Sequence, residues 1–139
     1  MQVAIRQPTP IDVNFIYATW LRSYRYGSAF GRSIQNSVFF PSYNRRIDRI
    51  LLNSTTLIAC LDEDPKVIVG YLIHDDEAIH YAFTKEVFRE LGIFKKLLAA
   101  MPKPLSVCTH ETFIAEPIIQ KYNIVYNPFI LDKESIYGC

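Results

Sequence analysis

Six residues, Arg89-Glu90-Leu91-Gly92-Ile93-Phe94, separate a strand-like run from an amphipathic run, and that placement suits anion binding. Successive backbone N–H groups at a helix start point outward, and the helix dipole favours negative charge there. Gly92 lets backbone approach a ligand closely. The same segment also reads as an ordinary strand–loop–helix joint. A second set lies in the first fifty residues. Arg6, Arg22, Arg25, Arg32, Arg45, Arg46 and Arg49 are balanced only by Asp12 and Asp48, a local charge of +5 without a single lysine. Residues 51–139 hold eight basic and twelve acidic groups, a charge of −4. Arginine is chosen over lysine where a planar, bidentate or stacking cation is wanted. Tyr17, Trp20, Tyr24, Tyr26, Phe30, Phe39, Phe40 and Tyr43 are interleaved with these cations. That mixture suits an anionic or aromatic ligand, nucleobases included. The alternative makes the aromatics core and the arginines a solvated face, paired with the acidic turns at 62–64 and 75–77. His74, His80 and His110 have no i, i+4 helical pairing, so no metal set is expected. Cys60, Cys108 and Cys139 are odd in number and widely spaced, which argues against a disulfide framework or a structural zinc site.

The elements that must position these groups are legible from periodicity. A chain of 139 residues, 50% hydrophobic, holds one domain with one core. With 21% charged residues and a net charge of +1, disorder is excluded. No apolar run approaches a membrane span, and residues 1–10 lack the apolar stretch and cleavage site of a signal peptide. The expectation is a soluble, cytoplasmic protein. Residues 2–7 alternate as a first strand. Thr9-Pro10-Ile11-Asp12 starts a helix, with Thr9 as N-cap and Asp12 completing a variant capping box. Val13, Ile16, Tyr17, Trp20, Leu21 and Tyr24 give it one apolar face up to Arg25. Gly27 to Gly31 reads as a loop, and Pro41-Ser42 opens a second helix that buries Tyr43, Ile47, Ile50 and Leu51. Arg45, Arg46 and Arg49 lie off that stripe, and cations this close repel unless something anionic is near. Strand-like runs 55–61, 66–73 and 78–84, separated by short acidic turns, form an antiparallel meander. A helix over 92–101 stops at Pro102 and Pro104. A strand over 105–109, a helix within 111–122 interrupted by Pro117, and a last strand over 124–131 complete the order β-α-α-β-β-β-α-β-α-β.

Residues 89–94, the paired Leu97-Leu98 and this element order resemble the GNAT superfamily of N-acyltransferases. Its signature is a strand, then [Q/R]-x-x-G-x-[G/A], then a helix. The upstream Val-x-Pro-x-x-Arg of many members is similar to Thr84-Lys85-Glu86-Val87-Phe88-Arg89. Trp20-Leu21-Arg22-Ser23-Tyr24-Arg25 also resembles small GNAT-like proteins of bacteriophages, whose place would be the host cytoplasm. The resemblance implies an α+β fold, with a mixed central sheet of about six strands and four helices. It implies acetyl-CoA as acyl donor, bound in the V between the fourth and fifth strands. Ala82, Phe83 and Thr84 then pair with the pantetheine arm, and Arg89, Glu90, Leu91, Gly92, Ile93 and Phe94 hold the pyrophosphate. The acceptor amine attacks directly, a base removes its proton, and an acid can protonate the thiolate. His80 is the best base; His110 faces the cleft in such a fold. Phe94 replaces the usual Gly or Ala, either crowding the pyrophosphate or turning into the core. Ile119 stands where a tyrosine acid is expected; Tyr122 or Tyr126 serves only with a shifted helix. Arg22, Tyr24, Arg25, Arg45, Arg46 and Arg49 flank the acceptor side and favour an anionic or nucleobase-containing acceptor. The other reading is a catalytically inactive or CoA-independent GNAT-like protein that binds nucleic acid or a protein partner through its Arg/aromatic half. A monomer or homodimer without membrane attachment fits both.

Overall fold

The structure is a computed structural model that describes residues 2–132; Cys139 lies outside the described residues. The elements are β1 (Val3–Arg6), α1 (Pro10–Gly27), α2 (Ala29–Arg32), α3 (Asn36–Leu52), β2 (Thr55–Leu61), β3 (Ile68–His74), β4 (Ile79–Thr84), α4 (Ile93–Ala99), β5 (Val107–Cys108), α5 (Glu116–Lys121) and β6 (Val125–Tyr126), with a 3-10 turn at Glu86–Phe88. Six strands form one sheet in sequence order. β1 to β4 run antiparallel, so the meander is as expected. β5 and β6 add in parallel, which makes the sheet mixed.

β1 and α1 are fixed together by one ion pair. The Arg6 guanidinium donates to both Asp12 oxygens, at 2.7 and 3.0 Å. The same carboxylate accepts from the Thr9 N–H at 2.6 Å, closing the first turn. The Arg6 hydrogen bond, against the opposing effect of burial, holds the Asp12 carboxyl below its usual range. Along α1, Ile16, Trp20 and Tyr24 are buried at helical spacing. Thr19 and Ser23, one turn apart, carry α1 onto two strands: Thr19 bonds the Tyr71 hydroxyl at 2.8 Å, and Ser23 the Tyr81 hydroxyl at 2.6 Å. The sheet therefore has two unlike faces. One packs Trp20, Tyr24, Phe39, Tyr43, Tyr71 and Tyr81 beneath α1 and α3. The other packs aliphatic side chains beneath α4 and α5, among them Val69, Leu72, Leu97 and Ile119.

Several boundaries differ from the sequence reading. Residues 29–32, expected as loop, form α2, giving five helices. Ser28 caps it by accepting from the Gly31 N–H at 2.9 Å. α3 begins at Asn36, and Pro41 lies inside it. Proline there removes one intrahelical bond. The burial of Phe39, stacked 5.0 Å from Tyr43 at 5°, outweighs that loss. β5 is cut to Val107–Cys108 and β6 to Val125–Tyr126, since Pro104 and Pro128 bound them. His74, assigned to a turn, ends β3 and is buried.

α2 crosses the end of α1 at backbone contact. A Cβ on Gly31 would lie 2.1 Å from the Tyr24 carbonyl oxygen and 2.7 Å from the Arg25 Cα. Neither atom is a side-chain tip that can swing away. Gly31→Ala is therefore expected to cost about 1–3 kcal/mol, the usual range for overpacking. Urea unfolding measures it, and an unchanged midpoint would remove this contact from the account.

Candidate functional site

β4 and β5 meet at Ile79 and Cys108, where the Thr109 N–H donates to the Ile79 carbonyl at 3.0 Å. Beyond that point they part. A register shift between Ile73 and His74 in the β3–β4 ladder sets His80 apart from its neighbours. At the parting, five side chains form one hydrogen-bonded chain. Asp75 Oδ2 is 2.7 Å from His80 Nε2. His80 Nδ1 is 2.9 Å from Thr109 Oγ1, which is 2.8 Å from His110 Nδ1. His110 Nε2 is 2.5 Å from the Tyr43 hydroxyl. His80, Thr109, His110 and Tyr43 are all buried.

The chain's polarity can be worked out from its ends. Asp75 Oδ1 accepts from the Glu77 and Ala78 N–H groups at 2.7 and 2.9 Å. Burial would raise its pKa, but these amides and His80 bring it below the usual carboxylate range. Asp75 is thus an acceptor, and the His80 proton sits on Nε2. Burial, reinforced by His80 and Arg46, holds the His110 imidazole well below its usual range, so it is neutral. With one proton on each imidazole, one arrangement satisfies every partner. Tyr43 donates to His110 Nε2, His110 Nδ1 to Thr109, Thr109 to His80 Nδ1, and His80 Nε2 to Asp75. A second proton on His80 reverses the three links to Tyr43 and frees the Tyr43 O–H. A charge at one end is therefore felt at the other.

Tyr43 also lines a concavity between α2 and α3, about 310 Å³ in volume, with Arg45, Arg46 and Arg49 around it. Arg46 lies 5.7 Å from the Tyr43 ring centre. Burial, partly offset by Arg46, raises the Tyr43 hydroxyl to about 12. Asp75 of the second acidic turn is engaged by His80 rather than by these arginines. Among the described residues the ion pairs are Arg6–Asp12 and His80–Asp75.

The remaining sequence candidates fall into three groups. The loop of residues 89–94 follows β4 directly. Gly92 adopts φ 78° and Glu90 φ 65°, both left-handed, and a Cβ at Gly92 would meet open space. The N–H groups of residues 90–95 have no backbone acceptor among the described residues. Arg89 folds back, its Nε donating to the Thr84 carbonyl at 3.1 Å. Phe94 turns inward, 5.9 Å from the Tyr122 ring, so the crowding alternative does not hold. Tyr122 packs on the α4 face, away from the partners of His80, and Ile119 is buried there as well. Tyr24, expected to stack on a ligand, is closed into the core among Phe30, Phe39, Tyr43, Tyr81 and His110. Arg22 and Arg25 do not line the concavity; Arg25 lies 5.1 Å from the Tyr26 ring centre. Sequence reading missed Thr109 and the catalytic potential of Tyr43. Neither carries a spacing signal, because the chain joins residues from four distant elements.

The neutral His110 has a consequence for stability. The unfolded chain takes up a proton at this imidazole below about pH 6.5, whereas the folded chain does not. The unfolded state then binds more protons, so the contribution is full above that pH and lost as pH falls. The loss is up to about 1.4 kcal/mol per pH unit. Urea unfolding at pH 7.5 and 5.5 should show the lower value at 5.5; equal values would contradict a neutral His110.

No protein-family model matches the sequence, and no curated protein matches it. Solved structures do resemble the fold. A protein from Clostridium difficile 630, described as a possible acetyltransferase, superposes with a TM-score of 0.58 over 91% of this chain and 93% of its own, at 11% identity. An acetyltransferase of the GNAT family from Xanthomonas campestris pv. campestris gives 0.54 over 95% and 90%, at 15% identity. AAC(6')-Iy, in complex with the bisubstrate analog CoA-S-monomethyl-acetylneamine, gives 0.52 over 88% and 87%, at 16% identity. Against YjaB from Escherichia coli (TM-score 0.52, 16% identity), 71% of this chain matches and spans 63% of that protein's length. With a six-stranded mixed sheet in sequence order and β4 parting from β5, this chain has the fold of the GNAT superfamily of acetyltransferases.

Proposed function

We propose that the protein is an acyl-CoA-dependent N-acyltransferase, with acetyl-CoA as donor and an amine as acceptor. The observation that carries this is the run of unpaired amides at residues 90–95, directly after a β4 edge that β5 leaves free. Unpaired N–H groups converging beside a left-handed glycine are suited to a pyrophosphate. The edge of Ala82, Phe83 and Thr84, whose last carbonyl Arg89 occupies, is suited to an amide-bearing arm laid along the strand. AAC(6')-Iy, whose complex contains a CoA analog, has the same fold.

When bound, acetyl-CoA supplies a thioester carbonyl activated toward amines. The work left to the chain is positioning and proton removal. His80 cannot take a proton from a ligand directly, because both its nitrogens are engaged. The hydrogen-bonded chain offers a route. An amine beside Tyr43 gives its proton to the Tyr43 oxygen as the Tyr43 proton passes to His110 Nε2. The His110 Nδ1 proton passes to Thr109, and the Thr109 proton to His80 Nδ1. One imidazolium results, at His80 against the Asp75 carboxylate, and no group between keeps a charge. Tyr122 has no part in this path.

Two measurements test the reading. Calorimetric titration should show acetyl-CoA binding to the wild type and none to Gly92→Asp, which puts a strained side chain and a negative charge among the amides. Absence of wild-type binding would end the proposal. With an accepted amine, His80→Gln should lower turnover by about 10²- to 10⁴-fold, the range for losing a general base. Acetyl-CoA affinity should stay within about twofold, since His80 is not among the amide donors. Near-normal turnover would return His80 to a structural part.

A further inference from the structure

The concavity between α2 and α3 has the chemistry of a ligand site that the acyl-donor loop does not explain. Phe30, Ile34 and Val38 form an apolar wall, and Arg45, Arg46 and Arg49 stand beside it. Val38, Arg45 and Arg49 fall on one face of α3, and Phe30 and Val38 are 43% and 53% exposed. None of the three guanidinium groups meets a carboxylate among the described residues. Like cations within one turn repel, and apolar walls strengthen their field. Arginine forks match the paired oxygens of an oxyanion. Three cations without an ion-pair partner among the described residues match a dianion better than a monoanionic carboxylate. The exposed Phe30 ring and Val38 offer a flat apolar surface to whatever carries that anion. At about 310 Å³ the space is that of a small molecule.

We propose that this concavity binds a small phosphate monoester that carries an aromatic ring, the phosphate on Arg45, Arg46 and Arg49 and the ring on Phe30 and Val38. Its role as the anchor of the acceptor, next to Tyr43, rests on the acyltransferase reading; the binding does not.

The test is calorimetric titration of the whole chain with phenyl phosphate, inorganic phosphate and phenol at low salt. Phenyl phosphate should saturate one site and bind more tightly than either fragment. R45Q/R46Q/R49Q should weaken it by about tenfold or more, as expected for losing charge-assisted bonds. Arg45 and Arg49 are exposed and Arg46 is half-buried over the Tyr43 ring, so a cooperative thermal transition of the variant is the accompanying check that it is folded. No saturable binding of phenyl phosphate, or unchanged binding by the triple variant, would overturn the site. Equal affinity for inorganic phosphate would overturn the ring. If phenyl phosphate fails while a short single-stranded oligonucleotide binds with a salt slope of several phosphates, the surface belongs to nucleic acid instead. Acetyl-CoA is titrated separately. Its failure beside bound phenyl phosphate would overturn the acceptor role and the acyltransferase reading, leaving the phosphate site standing.

Discussion

A polar group taken out of water must find a partner, and at the parting of β4 and β5 that rule orders the five side chains from Asp75 to Tyr43. Asp75 is held by two amides of its own turn, so its second oxygen can only accept. That fixes one His80 nitrogen, and the rest of the chain follows link by link to Tyr43 on α3. The β3–β4 turn, β4, β5 and α3 are thereby locked in one relation. A displacement of any of them would strand a buried donor or acceptor, at a cost of about 1–3 kcal/mol. The pairing needs space that a regular sheet lacks. The register shift beside His74 and the end of the β4–β5 ladder at Ile79 create it.

The two faces of the sheet divide the labour. Beneath α4 and α5 the packing is aliphatic, and Phe94 and Tyr122 close against one another there. Beneath α1 and α3 the packing is aromatic and hydroxyl-bearing. His110 sits among Trp20, Tyr24, Tyr43 and Tyr81, with ring centres 4.9–5.9 Å away. Such a cage excludes water and keeps the imidazole neutral, which the relay requires. Large rings, held by Thr19 and Ser23 from α1, can build that cage; aliphatic side chains would leave the hydroxyls unmatched.

Much of this fold could be read from the sequence because its elements announce themselves locally. The Thr9–Asp12 start, the apolar stripe of α1, the meander between acidic turns and the Gly92 loop all lie within short windows. The errors arose where tertiary burial outweighed a local signal. Pro41 reads as a helix start, yet Phe39 draws the helix back to Asn36. Tyr24 reads as a ligand stacker among arginines, yet its helical phase with Ile16 and Trp20 turns it inward. Residues 27–31 read as a glycine loop, yet the short helix there is licensed by the contact only Gly31 permits. The site was legible in its parts and hidden in its connection. His80 and His110 were candidates, but Thr109 joins them through a strand pairing that no sequence window contains.

The basic concavity and the buried chain meet at a single residue, and the acidity of that residue decides how they can cooperate. At about 12, the Tyr43 hydroxyl does not ionise near neutral pH, so it cannot serve as a standing base. It can only give up one proton while accepting another. Such an exchange moves charge from the concavity to the Asp75–His80 pair and creates no phenolate in the low-dielectric interior, where an unpaired charge is most costly. Arg46, a cation 5.7 Å from the Tyr43 ring centre, favours negative charge on its oxygen and in the proposed relay would assist the exchange from the outside. The same guanidinium disfavours a proton resting on His110. In the proposed relay its single position would disfavour a proton at His110 and leave His80, beside the Asp75 carboxylate, as the place where the proton rests.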